Sequence, residues 1–181
     1  MKKIAILFPG LGYTCVRPLM YYSGKLAQSL GYETVPCQYN VTEEQAQAGR
    51  AVEAALEQAE EILKDIRWEE WDEILFLSKS IGTYISCAFA QAHGLNVRNA
   101  LFTPLTDTFR FPQPRSIAFH GTGDPVAKTP DVRAACEKGN IPLYTYENAN
   151  HSLETGDVDT DLKNIRSAMQ TLKDWLEEER N

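Results

Sequence analysis

The chain is 181 residues long, 43% hydrophobic and 24% charged, with a formal net charge of −7. That length suits one domain over 1–181 with a full buried core. An acidic balance with no basic patch excludes nucleic acid as the main partner, and no stretch approaches the roughly 20 apolar residues that cross a bilayer.

The start, Met1-Lys2-Lys3 followed by Ile4–Phe8, imitates the basic and apolar regions of a signal peptide. The apolar run is too short, and Pro9-Gly10 stops it with no small-residue cleavage pattern behind it. Cys15, Cys37, Cys87 and Cys136 are scattered without a CxxC pair. They read as reduced thiols in a cytoplasmic protein, and not as a disulfide frame or a zinc site.

Lys3–Phe8 is a β-branched and aromatic run that predicts a strand, followed by the glycine-rich loop Pro9-Gly10-Leu11-Gly12-Tyr13. Met20–Leu30 predicts a helix closed by Gly31, and Glu33–Tyr39 a second strand, placed at an edge by Pro36. Thr42 and Gln45 then form a capping box that opens one long helix, with Val52, Ala55, Leu56, Ala59, Ile62, Leu63 and Ile66 on its apolar face. Trp68 and Trp71 follow as packing residues.

Glu73–Leu77 is an apolar strand that runs into Ser78-Lys79-Ser80-Ile81-Gly82, and Ile81–His93 predicts a helix stopped by Gly94. Further strands are expected at Asn96–Phe102, Ser116–His120 and Ile141–Tyr146. A short helix over Pro130–Lys138 ends at Gly139, and Leu162, Ile165, Met169, Leu172 and Leu176 mark a last helix by their spacing. Short apolar strands alternating with helices imply a parallel sheet covered on both faces. In such sheets chemistry collects outside the carboxyl ends of the strands.

Four features fall at those ends: Gly10-Leu11-Gly12, Ser80, Asp124 and His151. A serine hydroxyl is a weak nucleophile and needs a base during attack. Histidine titrates near neutrality and suits that task. An aspartate on its far nitrogen fixes the tautomer and stabilises the imidazolium. The backbone N–H of Ile81, just after the serine, and one from the Gly10–Gly12 loop would serve a tetrahedral oxyanion.

On the Pro9–Gly12 loop, the Ser78–Gly82 turn, His120-Gly121-Thr122-Gly123-Asp124-Pro125 and Asn148-Ala149-Asn150-His151, the chain resembles the α/β-hydrolase family in a small form without a cap. The resemblance implies a three-layer α/β fold with strand order 2-1-3-4-5-6. It also implies Ser80 as nucleophile, Asp124 as acid, His151 as base, and the Leu11 and Ile81 N–H groups as oxyanion hole. The family's G-x-S-x-G turn carries Ser78 here in place of the first glycine. Thr103–Pro114 leaves no room for a cap domain, so the site should be open.

The expected activity is a serine hydrolase acting on a small-molecule ester or thioester, with no cofactor or metal. Expected substrate contacts are Gly12, Tyr13, Lys79, Leu105 and Val126, with Leu11, Phe109 and Phe111 as further lining. Lys79 reads either as a solvated side chain or as a contact favouring acidic groups. Asp107 is the reserve acid, and His120 reads as structural. The alternative to an enzyme is a non-catalytic binding or regulatory module on the same fold.

Overall fold

The computed structural model describes residues 1–178. Six strands form one sheet: β1 (Lys3–Phe8), β2 (Glu33–Pro36), β3 (Glu73–Lys79), β4 (Arg98–Phe102), β5 (Ser116–Gly121) and β6 (Leu143–Tyr146). Their order is 2-1-3-4-5-6 and every neighbouring pair is parallel. The helices are α1 (Pro18–Ser29), α2 (Glu43–Gln47), α3 (Ala51–Leu63), α4 (Ile81–Ala92), α5 (Thr129–Gly139) and α6 (Val158–Glu178). None of the described helices is long and apolar enough to cross a membrane.

Strand alternation divides the core. Ala5, Leu7, Leu75, Leu77, Phe102 and Phe119 pack with Leu19, Met20, Leu172 and Leu176 from α1 and α6. The intervening residues Ile4, Ile6, Phe8, Ile74 and Phe76 pack with Ala55, Ala59, Ile85 and Phe89 from α3 and α4. Farther along the sheet, Leu101 and Ala118 meet Val132 and Cys136 of α5. Each Leu, Ile, Val, Met or Phe side chain fully removed from water contributes roughly 1.5–3 kcal/mol. Trp68 joins the Phe76 and Phe89 rings at 6.3 and 5.7 Å, as a packing residue.

Three expectations about the helices need correction. The single long helix after Thr42 is two helices. The Thr42–Gln45 capping box forms, but Gly49 adopts φ 70°, with Gly49 N–H donating to Ala46 O and Arg50 N–H to Gln45 O. That is a Schellman stop, which glycine makes at no steric cost. α5 stops one residue later than expected: Gly139 lies inside it, and Asn140 carries the left-handed conformation at φ 53°. α1 also begins earlier, at Pro18, because proline is well suited to the first turn.

The parallel sheet brings the carboxyl ends of β1, β3, β4, β5 and β6 to one edge. Register pairs Phe8 with Ser78, Lys79 with Phe102 and Gly121 with Tyr146. The Thr103–Pro114 connection is spanned by a 3-10 turn over Thr106–Arg110, with no inserted domain.

Candidate active site

Ser80 sits between β3 and α4 at φ 56° and ψ −123°. Its N–H still donates to Phe102 O at 3.0 Å, so the sheet holds the residue up to the corner. For a residue with a Cβ this backbone is strained by roughly 1–3 kcal/mol, and it persists only where the surroundings fix it. Thr83 does so from the helix side, donating N–H and hydroxyl to Ser80 O at 2.9 and 2.6 Å. Gly82 is required for a different reason: a Cβ there would lie 2.1 Å from Phe8 O. α4 therefore begins in backbone contact with the end of β1.

Ser78, where the usual turn has glycine, is fully buried. Its hydroxyl donates to Asn99 Oδ1 at 2.8 Å and to Ala100 O at 3.1 Å. Serine fits because the hydroxyl finds acceptors on the neighbouring strand.

His151 meets both expected partners. Its Nδ1 is 2.7 Å from Asp124 Oδ2, and its Nε2 is 2.7 Å from Ser80 Oγ. An ionised carboxylate can only accept, so Nδ1 carries the proton and Nε2 accepts from the serine hydroxyl. Burial alone would raise the Asp124 carboxyl. Hydrogen bonds from His151 and from the Val126 and Ala127 N–H groups outweigh it, and the pKa is lowered. Asp107, the reserve acid, is exposed on the 3-10 turn, and the carboxylate on His151 is Asp124.

Backbone packing sets the spacing of Asp124 and His151. A Cβ on Gly121 would fall 2.2 Å from Ala149 O, and one on Gly123 would fall 3.0 Å from Asn148 O. The turn bearing Asp124 and the loop bearing His151 thus lie main chain against main chain. Asn150 closes that loop, its Oδ1 accepting from Ser152 N–H at 2.7 Å and Glu154 N–H at 3.2 Å. An Asn two residues before a Ser in a polar loop is the sequence signal for this turn.

Gly10-Leu11-Gly12-Tyr13 is a type II turn, with Tyr13 N–H on Gly10 O at 3.2 Å and Gly12 at φ 65°. Leu11 is at its tip, 44% exposed. Among the described residues, neither Leu11 N–H nor Ile81 N–H donates to a protein acceptor. Tyr13 is buried, and its hydroxyl accepts from Leu19 N–H at 3.1 Å, capping α1. Tyr39 donates its hydroxyl to Pro9 O and ties the loop to the segment that follows β2.

Of the other expected contacts, Gly12 and Val126 are exposed, and Leu105 is half-buried against the α3–α4 face. Phe109 and Phe111 pack toward α5. Lys79 is not a solvated side chain: it is 3% exposed, with Nζ 4.6 Å from the Tyr13 ring centroid. His120 is fully buried, with Nε2 3.1 Å from Thr129 Oγ1 and Nδ1 3.8 Å from Asp124 Oδ2. Burial lowers its pKa despite the pull of Asp124. Cys15, beyond the Tyr13 loop, is free, and burial pushes its thiol to about 11, the behaviour of an inert thiol.

No family model and no curated protein matches the chain in sequence. Its fold, however, has close counterparts among solved structures. A protein of Xanthomonas campestris pv. campestris assigned to the alpha/beta hydrolase superfamily is 18% identical, with a TM-score of 0.73 over 96% of this chain and 99% of that one. A serine hydrolase without a lid, from Xanthomonas campestris, is 14% identical with a TM-score of 0.68, over 97% and 81% of the two chains. A thermophilic esterase of Thermogutta terrifontis, with propionate bound, is 15% identical with a TM-score of 0.71, over 98% and 84%. The chain thus has the α/β-hydrolase fold, and its neighbours in structure include serine hydrolases and esterases.

Proposed function

We propose that the protein is a serine hydrolase that cleaves a small carboxylic ester or thioester. The observation that carries this reading is the unbroken Ser80–His151–Asp124 relay, with both links at 2.7 Å. Ser80 Oγ attacks the acyl carbonyl carbon while His151 Nε2 takes the hydroxyl proton. The carbonyl oxygen becomes an oxyanion, accepted by the free N–H groups of Leu11 and Ile81, with the N-terminus of α4 behind them. Asp124 stabilises the doubly protonated imidazole through Nδ1. The intermediate collapses, the carbon–oxygen or carbon–sulfur bond breaks, and His151 returns the proton to the leaving group. Water then attacks the acyl-serine, giving its proton to His151, and the acid departs as Ser80 is restored.

The short Thr103–Pro114 connection supports a small acyl group, since only short loops border the serine. The propionate held by the Thermogutta esterase is an acid of that size. A fluorophosphonate probe should label the protein on Ser80, and Ser80→Ala should abolish labelling. Unchanged labelling of that variant would overturn the assignment. A chain-length panel of esters and thioesters, run on wild type and Ser80→Ala, then identifies the acyl group.

A further inference from the structure

An ammonium withdrawn from water with no directly paired anion is costly, because a paired charge is what ordinarily offsets its lost hydration. Lys79 is in that position. It is 3% exposed, and among the described residues its ammonium makes no hydrogen bond or ion pair, the Asp124 and Glu154 carboxylates acting on it only at longer range. Its ammonium lies over the face of Tyr13, a cation–π arrangement that is strongest when desolvated.

Three observations tie this lysine to the reacting serine. It directly precedes Ser80, and strand alternation sends it to the α1–α6 side, opposite Ser78. Its stem supports the oxyanion loop: a Cβ on Gly10 would lie 3.1 Å from Lys79 Cδ and 3.2 Å from Ser80 Cβ. Tyr13, which its ammonium covers, closes the turn that presents Leu11.

We propose that Lys79 is a positioning residue for Ser80, its buried charge fixing the Gly10–Tyr13 turn through Tyr13 and giving the oxyanion a positive environment. This rests on the serine-hydrolase reading above. A fixed charge in a site shielded from water acts on a developing anion without reorganisation. Burial lowers the Lys79 ammonium to about 8, against the opposing pull of the Asp124 and Glu154 carboxylates. The Tyr13 phenol facing it is pushed to about 12 by burial, although the Leu19 N–H and the Arg17 charge act against this. Tyr13 therefore stays protonated while Lys79 titrates. The charge is present below about 8 and lost above it, so the rate should fall on the alkaline side.

The test is the rate constant for fluorophosphonate labelling, together with kcat and KM for an ester that turns over, across about pH 6 to 10. Wild type should lose rate with a midpoint near 8. Lys79→Met should be about tenfold slower at neutral pH, in kcat and not KM, and should lack the alkaline fall. Lys79→Arg should recover most of the neutral rate and move the fall to higher pH. A folded Lys79→Met with wild-type rate and wild-type profile overturns the inference. If Lys79→Met does not fold, identical profiles for wild type and Lys79→Arg overturn it equally. Wild-type protein that never labels sinks the hydrolase reading and this one together, whereas labelling with no alkaline fall sinks this one alone.

Discussion

Ser78 and Asn99 are joined across β3 and β4 by a 2.8 Å hydrogen bond from hydroxyl to side-chain oxygen. Asn99 passes the connection on, donating Nδ2–H to Ser86 Oγ of α4 at 2.9 Å. Two strands and the helix behind Ser80 are thereby linked through one buried amide. Ser78→Gly would recreate the common turn sequence, yet it removes the donor to a buried acceptor. It should lower stability by about 1–2 kcal/mol and change ester turnover only a few-fold. Urea unfolding and turnover on the same variant check this, and a stabilised Ser78→Gly would contradict it.

The backbone at Ser80 allows strain to be separated from chemistry. Ser80→Ala and Ser80→Gly both lose the hydroxyl and should both be inactive. Only glycine relaxes φ 56°, ψ −123°. That relief, roughly 1–3 kcal/mol, exceeds the added entropy of the unfolded glycine chain, roughly 0.5–1 kcal/mol. Ser80→Gly should therefore be about 1 kcal/mol more stable than Ser80→Ala. Thermal melts of the two variants decide it.

Asp124→Asn keeps the shape of the side chain but presents an amide to His151 Nδ1. The wrong tautomer is then favoured, and turnover should drop by roughly three to four orders of magnitude with the fold intact. Steady-state kinetics beside a circular dichroism spectrum test the prediction. Asp107→Asn, on the exposed turn, should leave turnover unchanged.

At the opposite end of the sheet, Glu73 lies 2.9 Å from Lys3 Nζ and 3.5 Å from Arg98, and accepts from Tyr32. Burial would raise its pKa, but the Tyr32 and Lys3 hydrogen bonds and the Lys3 and Arg98 charges lower it overall. A carboxylate whose pKa is depressed on folding adds stability above its unfolded value of about 4.3, and that stability is lost as pH falls through the folded value. Glu73→Gln should cost about 2 kcal/mol at neutral pH, with a partly open edge reducing the loss. The gap from wild type should shrink below about pH 4. Denaturation midpoints at neutral and acid pH measure both.

The sheet was legible because its strands are short β-branched and aromatic runs that end in glycine or proline turns. The relay was legible because Ser80, Asp124 and His151 each follow such a run. The strand order came from resemblance to a family and not from the residues themselves. Lys79 was harder to read, since lysine in a turn suggests solvent. The signal lay in the strand itself: β3 runs on through Lys79, and a parallel sheet is covered on both faces. Arg98, 1% exposed and 4.1 Å from the Trp175 ring centroid, was hidden in the same way at the start of β4. The break at Gly49 was missed because apolar spacing on the far side resumes as if the helix were continuous.

Gly82 and Gly121 are the narrowest points of the site, with carbonyl oxygens 2.1 and 2.2 Å from where a Cβ would stand. At both, elements that carry Ser80, Asp124 and His151 are spaced by main chain touching main chain, with no side chain interposed. Substitutions elsewhere can alter the volume of the core without altering those gaps. What must be inherited at these two positions is the absence of an atom, a requirement that adds almost nothing to sequence identity and fixes the geometry all the same.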